Sequence, residues 1–141
     1  MANTKDLQVL VNTDRKLVIK FTEFCDGTTA TNTQIVVDIS DSSYNHSDGS
    51  SMTGVAVERV WADSTPAGFV AEINWDADSD LLIASTGEAA GNMKFFQDYT
   101  LGDWGGLTAT GTNPTGDIRI QASGMSDLDT YFFIIEMRKI F

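Results

Sequence analysis

Apolar and polar side chains alternate with a period of two along most of this chain, whereas the helical period of 3.6 is nearly absent. The clearest case lies in residues 117–122, where Ile118, Ile120 and Ala122 share one face and polar residues occupy the other. Clusters of Gly, Asn, Asp and Ser separate the alternating runs, as is typical of turns between strands. The pattern therefore predicts an all-β chain.

Nine to ten short strands are predicted in this way. They are Leu7–Val11, Lys16–Phe24, Gln34–Ile39, Val55–Trp61, Phe69–Trp75, Leu81–Ser85, Met93–Gln97, Leu107–Thr110, Asp117–Ala122 and Thr130–Arg138. The first two flank the turn-forming residues 12–15 and form a predicted hairpin. The segments 41–54 and 87–92 are predicted loops, and we expect the first to be mobile. Many short strands in 141 residues predict one antiparallel β-sandwich domain, jelly-roll-like, over residues 1–141.

The C-terminal segment is apolar on both faces. Phe132 and Ile134 alternate with an equally apolar set on the opposite face, which is typical of a central strand or of a strand covered by another subunit. Ile140 and Phe141 lie beyond a basic pair, and we expect them to dock on a neighbouring chain. These four residues, together with Trp104, are the candidate partner interface.

The three tryptophans could serve either the core or a binding surface. The alternation predicts that Trp61 shares a face with Val55 and Val57, so Trp61 and Trp75 are expected in the core. Trp104 lies within a Gly-rich segment and is predicted to be in a loop. It is the tryptophan for which a binding role, to sugar or to protein, is as well supported as a structural one.

The net charge of −11 disfavours nucleic acid and anionic membranes as partners. The single Cys25 excludes an internal disulfide framework, and its position predicts a strand-end residue rather than a nucleophile. The first 30 residues contain no apolar run typical of a signal peptide, so we expect folding in a cytosol.

Catalytic and metal-binding patterns are weak. His46, the only histidine, lies among Ser, Asn and Asp residues and is expected to be solvated. Asp76, Asp78 and Asp80 could share a calcium ion or form a strand-to-strand turn, and the sequence leaves both open. The glycine-rich segments lack the lysine of a phosphate-binding loop. We therefore expect no enzyme and assign no catalytic residue, cofactor or metal ligand.

Four segments carry a family resemblance: TDRKLVIKFTEF, INWDADSD, GGLTATGTNPTGDIRIQ and DTYFFIIEMRK. In this order they resemble a family of small virion structural proteins of tailed phages that infect marine and cyanobacterial hosts. The resemblance implies a non-enzymatic virion protein, made in the host cytoplasm and placed on the outer capsid surface. Its implied partners are the major capsid protein and further copies of itself, as a trimer or a dimer.

The function expected on this basis is capsid decoration, in which each copy cements neighbouring capsid subunits. Two alternatives remain open at this point. One is a structural component of the neck or tail, present in few copies. The other is a host-glycan-binding module on the particle surface, with Trp104 as the candidate contact.

Overall fold

The computed structural model describes residues 3–27, 31–64, 69–85, 93–100, 105–110 and 113–141. These residues form nine strands and one short 3-10 helix. The strands are β1 Thr4–Asn12, β2 Lys16–Phe24, β3 Thr31–Val37, β4 Gly54–Ser64, β5 Val70–Trp75, β6 Leu81–Ser85, β7 Met93–Asp98, β8 Ile118–Ser123 and β9 Thr130–Ile140; the helix is Ser42–Tyr44. The predicted strand at Leu107–Thr110 is wrong, because Leu107 forms only an isolated bridge to Val57.

Two antiparallel sheets pack face to face. Sheet A has the order β1-β2-β9-β4-β7, and sheet B has the order β3-β8-β5-β6. The eight strands β2–β9 thus divide into two sets of four, with chain neighbours often in opposite sheets, which is the arrangement of a jelly roll. The predicted all-β, jelly-roll-like sandwich is confirmed. β1 lies outside those eight strands, on the edge of sheet A.

The core lies between the inner faces of the two sheets, where alternate residues of each strand are buried. β9 contributes Tyr131, Phe133, Ile135 and Met137, each at most 1% exposed. Because β9 pairs with β2 on one side and β4 on the other, it is the central strand of sheet A. This agrees with the prediction that a strand apolar on both faces is a central strand of its sheet.

A buried polar pair joins β2 to β9. The hydroxyl of Tyr131 donates to Oε1 of Glu23 at 2.6 Å, and both residues are 1% exposed. The side-chain amide of Asn3 donates to Oε2 of Glu23 at 2.7 Å. A buried carboxylate is costly without such donors. The need for this hydrogen bond therefore holds Asn3, the residue before β1, next to Glu23.

The segment between β3 and β4 is better fixed than we expected. Asp41 caps the 3-10 helix by accepting from the backbone N–H of Ser43, and Tyr44 and Met52 are buried. The ammonium of Lys139, itself 5% exposed, donates to the carbonyl of Tyr44 at 2.9 Å. Burial lowers the pKa of Lys139. The end of β9 therefore anchors this segment.

Candidate binding surfaces

The outer face of sheet A carries an aromatic row that crosses three strands. Strand register places Ile134 of β9 opposite Trp61 of β4, and Trp61 opposite Phe96 of β7. Side chains directly opposite each other in antiparallel strands share a face. The rings of Trp61 and Phe96 lie 5.3 Å apart with a tilt of 41°, and Phe96 is 55% exposed. This pair is an exposed aromatic surface on a rigid strand framework.

The outward position of Trp61 corrects the sequence prediction. The pairing of β4 with β9 shifts by one residue between Val57 and Arg59. Such a bulge moves every later residue of the strand to the opposite face. Val60 and Ala62 are consequently buried, while Trp61 is partly exposed. Trp75 lies in the core as predicted, with 3% exposure.

A charged row runs beside the aromatic row. Glu136 of β9 accepts from Lys16 at 2.6 Å and from Arg59 at 3.0 Å, and Arg59 also contacts Asp98 of β7 at 3.3 Å. The carboxylate of Glu136, and then that of Asp98, raises the pKa of Arg59. Hydrogen bonds from Thr100 hold the pKa of Asp98 below its usual value. These pairs fix four side chains at the border of the Trp61–Phe96 surface.

Two predicted interface residues lie within the same outer face. Phe132 and Ile134 are half-buried on the central strand. The ammonium of Lys20 lies 5.1 Å from the ring centroid of Phe132, within the range of a cation–π contact. Ile134 lies between Lys20 and Trp61 in the strand register. The structure thus brings Phe132 and Ile134 next to the aromatic row.

The other predicted interface residues lie elsewhere. Phe141 is 43% exposed, and its ring meets that of His46 edge-on at 5.3 Å, whereas Ile140 is half-buried at the end of β9. His46 also contacts Asp14 at 3.7 Å and Asp48 at 3.1 Å. The prediction that His46 is simply solvated is therefore wrong. Trp104 lies outside the described residues, and the prediction for it is untested.

A second exposed apolar surface lies on β1. Its apolar side chains are Leu7, Val9, Leu10 and Val11, which are 41%, 47%, 51% and 38% exposed. The sequence analysis assigned these residues to a strand but not to a binding surface. The signal was present in the run LQVLV, which is apolar at both strand parities and so cannot bury all of its side chains on one face.

The carboxylates of the 76–80 turn point to protein groups. Arg119 contacts Asp80 at 3.0 Å and Asp76 at 3.5 Å, and the amide of Asn113 donates to Asp78 at 2.8 Å. Among the described residues, no group of three or more His, Cys, Asp or Glu side chains is placed to hold a metal ion. This arrangement favours the turn over the calcium site. Cys25 is buried directly after β2, at the strand end as predicted.

No helix in the described part of the chain is long and apolar enough to cross a membrane. The chain matches no protein-family profile and no curated protein. Its fold has distant likenesses among solved structures. A mutant of a family 29 carbohydrate-binding module is 8% identical over 96% of this chain and 86% of that one, with a TM-score of 0.40.

A cupin superfamily protein from Desulfitobacterium hafniense is 13% identical over 100% of this chain and 82% of that one, with a TM-score of 0.31. The enzymatically active domain of bacteriophage CBA120 tailspike protein 4 is 9% identical over 96% of this chain and 19% of that one, with a TM-score of 0.35. At these scores the likenesses indicate no shared function.

Proposed function

We propose that this protein is a non-catalytic capsid decoration protein that holds neighbouring subunits of a virus particle together. The observation that carries the proposal is the presence of two exposed apolar surfaces at opposite edges of one sheet. One is the β1 edge, and the other is the Trp61–Phe96 pair at β4 and β7. A protein that bridges two neighbours needs two such surfaces at once.

The separation of the two surfaces fits this role. Four strand spacings of about 4.8 Å, or roughly 19 Å, lie between β1 and β7. Partners bound at the two edges would approach from opposite sides of the sheet. Two moderate contacts in one lattice bind more tightly than either alone, because the second is formed at high effective concentration. Binding to the assembled shell then stabilises it by mass action.

The first experiment is to count the copies of this protein in purified particles, relative to the major capsid protein, by quantitative mass spectrometry. Hundreds of copies support decoration, whereas about a dozen place the protein in the neck or tail. Absence from particles contradicts both.

The contact surface is tested by adding purified protein to particles that lack it. Truncation of a central aromatic contact typically costs about 2 kcal/mol, so Phe96→Ala should weaken binding about 30-fold. Leu128→Ala is the matched control, because Leu128 is 68% exposed but lies in the turn before β9, six residues from Ile134, the β9 residue opposite Trp61. Equal binding of both variants would remove the Trp61–Phe96 pair from the capsid contact.

A second candidate function is glycan binding at the same aromatic pair. It is favoured by the combination of an exposed ring, a neighbouring tryptophan and a fixed row of carboxylate and guanidinium groups. The apolar face of a sugar can stack on such rings while its hydroxyls bind the charged row.

Glycan binding predicts a change in tryptophan fluorescence when host-cell polysaccharide is added. If the sugar binds at this pair, Trp61→Phe should remove most of that change, because Trp75 is buried, whereas a change that persists would point to Trp104. Phe96→Ala should weaken the binding while leaving Trp61 as the reporter. Decoration without sugar binding predicts no fluorescence change in any of the three proteins.

A further inference from the structure

β1 is an added strand that the rest of the described structure leaves uncovered. All nine of its residues are exposed, and in the described structure it pairs only with β2. Leu7 lies opposite Phe21 and Val9 opposite Ile19, and both β2 residues are in the core. Leu7 and Val9 therefore extend the inner, core-facing side of sheet A past the point where sheet B covers it.

Contacts to sheet B and its loops occur near the two ends of β1. The ammonium of Lys5 donates to the carbonyl of Thr33 on β3 at 3.5 Å, and the amide of Asn12 donates to the carbonyl of Ser43 at 2.9 Å. Between them, Leu7 and Val9 keep 41% and 47% of their surface exposed. The middle of β1 thus has both an apolar inner side and an edge without a partner strand among the described residues.

β1 carries some of the features that usually keep edge strands apart, namely Lys5, Asp6 and a bulge between Val9 and Val11, but the centre of the strand, Leu7–Val9, lies between them. Residues 7–11 contain no charge, proline or glycine, whereas natural edges commonly carry Lys or Pro, or are short. The other edge strands of the described structure are β3, β6 and β7, with seven, five and six residues. β1, with nine, is the longest of the four.

The distribution of charge favours a second copy of this chain as the partner of β1. Residues 1–24 carry four basic and three acidic side chains, a formal charge of +1, whereas the whole chain carries −11. The other 117 residues therefore carry −12. A second copy that approaches β6 meets the carboxylates of the 76–80 turn. At β1, two copies can meet with their acidic surfaces held apart.

We propose that β1 pairs antiparallel with β1 of a second copy, across a two-fold axis at Gln8, to form a continuous ten-stranded sheet. Gln8 is the midpoint of the nine-residue strand. This register places Leu7 opposite Val9 of the second copy, and Val9 opposite its Leu7, on the inner side. No like charges face each other near the axis. A two-fold dimer uses the same surface on both copies, as most homodimers do.

This proposal specifies the neighbour at one of the two surfaces on which capsid decoration is proposed to rest. It is tested in solution without particles, so its failure is distinguishable from failure of that function. The wild-type protein should sediment at about twice the monomer mass of 15.3 kDa. Val9→Lys, which places a charge on the exposed inner side, should sediment as a monomer, with dimerisation weakened at least 100-fold.

Leu128→Lys is the matched control and should remain dimeric, because Leu128 is exposed in the turn before β9, where its N–H donates to the carbonyl of Cys25, six residues from Ile19, the β2 residue opposite Val9. A circular dichroism melt of each variant reports whether it is folded. A wild-type protein that stays monomeric at several hundred micromolar overturns the proposal. A dimer that survives Val9→Lys overturns it as well.

The register is tested by Gln8→Cys. Residues directly opposite each other in antiparallel strands have Cα atoms about 4.5–5.5 Å apart, within the range of a disulfide. Under mild oxidation this variant should form a covalent dimer. Ser51→Cys, exposed in the segment before β4, should not. The native Cys25 is buried and does not compete. No cross-link in Gln8→Cys, with a wild-type dimer present, overturns the two-fold at Gln8. This test also decides the proposal if Val9→Lys fails to fold.

Discussion

The hydroxyl of Tyr131 provides a sharp test of how the sandwich is stabilised. Tyr131→Phe removes only this group, and the ring keeps its contacts with Phe21, Phe69 and Phe133, whose centroids lie 6.3, 6.1 and 5.7 Å away. What is lost is the 2.6 Å hydrogen bond to the carboxylate of Glu23. Any change in stability therefore reports the polar contact and not a cavity.

The expected loss follows from burial and charge. Both partners are 1% exposed, and hydrogen bonds to charged groups contribute about 1.5–3 kcal/mol. We expect Tyr131→Phe to lower the free energy of unfolding by about 2 kcal/mol. For a domain of this size each kcal/mol changes Tm by about 4 °C, so Tm should fall by about 8 °C.

The same substitution should change how the free energy of unfolding depends on pH above pH 10. Burial, and then the hydrogen bond and charge of Glu23, raise the pKa of Tyr131 far above its ordinary value of 10.0. The unfolded state therefore releases a proton near pH 10 that the folded state retains. The stabilisation is complete below pH 10 and decreases above it by about 1.4 kcal/mol per pH unit. Tyr131→Phe lacks this decrease.

Tyr44 and Tyr99 should contribute decreases of the same sign, because burial also raises the pKa of each. Tyr131→Phe should thus remove the part of the decrease that is due to Tyr131 and leave the parts due to Tyr44 and Tyr99. Burial lowers the pKa of Lys139, which acts in the opposite direction, but this effect is common to both proteins and cancels in their difference.

Urea unfolding at pH 7, 10 and 11 measures both effects. Tyr99→Phe is the matched control, because its hydroxyl donates to the neutral carbonyl of Ile83 at 3.0 Å. Loss of this bond should cost about 1 kcal/mol. A loss below about 0.5 kcal/mol in Tyr131→Phe, or an unchanged alkaline slope, would refute the argument for the Glu23 contact.

Three further predictions concern the loops that meet at the ends of the sandwich. Asp117→Asn should be neutral or stabilising at pH 7 in urea unfolding, because its Oδ1 can still accept from Ile39 at 2.9 Å, while the carboxylate, whose pKa burial raises, no longer carries a charge. Lys139→Met should lower the free energy of unfolding by about 2 kcal/mol, because it removes the donor to the Tyr44 carbonyl. It should also speed amide hydrogen exchange in residues 41–53. Gly116→Ala should lower Tm, since φ is +88° and a Cβ would lie 2.8 Å from Cδ1 of Ile39.

Alternation of side chains predicted most of the strands because each sheet has one buried face. The prediction failed for Trp61, since one bulge in β4 reversed the faces and no residue in that run marks it. The segment 41–54 was expected to be mobile because Ser, Asn and Asp dominate it. Its order depends on contacts far away in sequence, such as that of Tyr44 with Lys139, which local composition cannot report.

The binding surfaces were harder to predict for a related reason. Phe132 and Ile134 were identified as candidates because the central strand is apolar on both faces, and the structure places them in the outer face of sheet A. Phe96 was missed, since its exposure depends on β7 being the edge strand next to β4. Sheet order is a tertiary property. The β1 surface was missed because LQVLV also suits an ordinary buried strand.

Dimerisation through β1 would raise the affinity of the protein for particles. Each copy carries one Trp61–Phe96 surface, so a dimer carries two, separated by nine strand spacings, or about 43 Å measured along the sheet. A particle surface that engages both holds the dimer by avidity, which can add roughly a hundredfold or more to the affinity of one contact. Val9→Lys should therefore bind particles about 100-fold more weakly although its aromatic row is intact, and Phe96→Ala should bind weakly although it remains a dimer. If Val9→Lys is monomeric and yet decorates particles as tightly as the wild type, the dimer has no part in decoration, and one copy must hold its neighbours by itself.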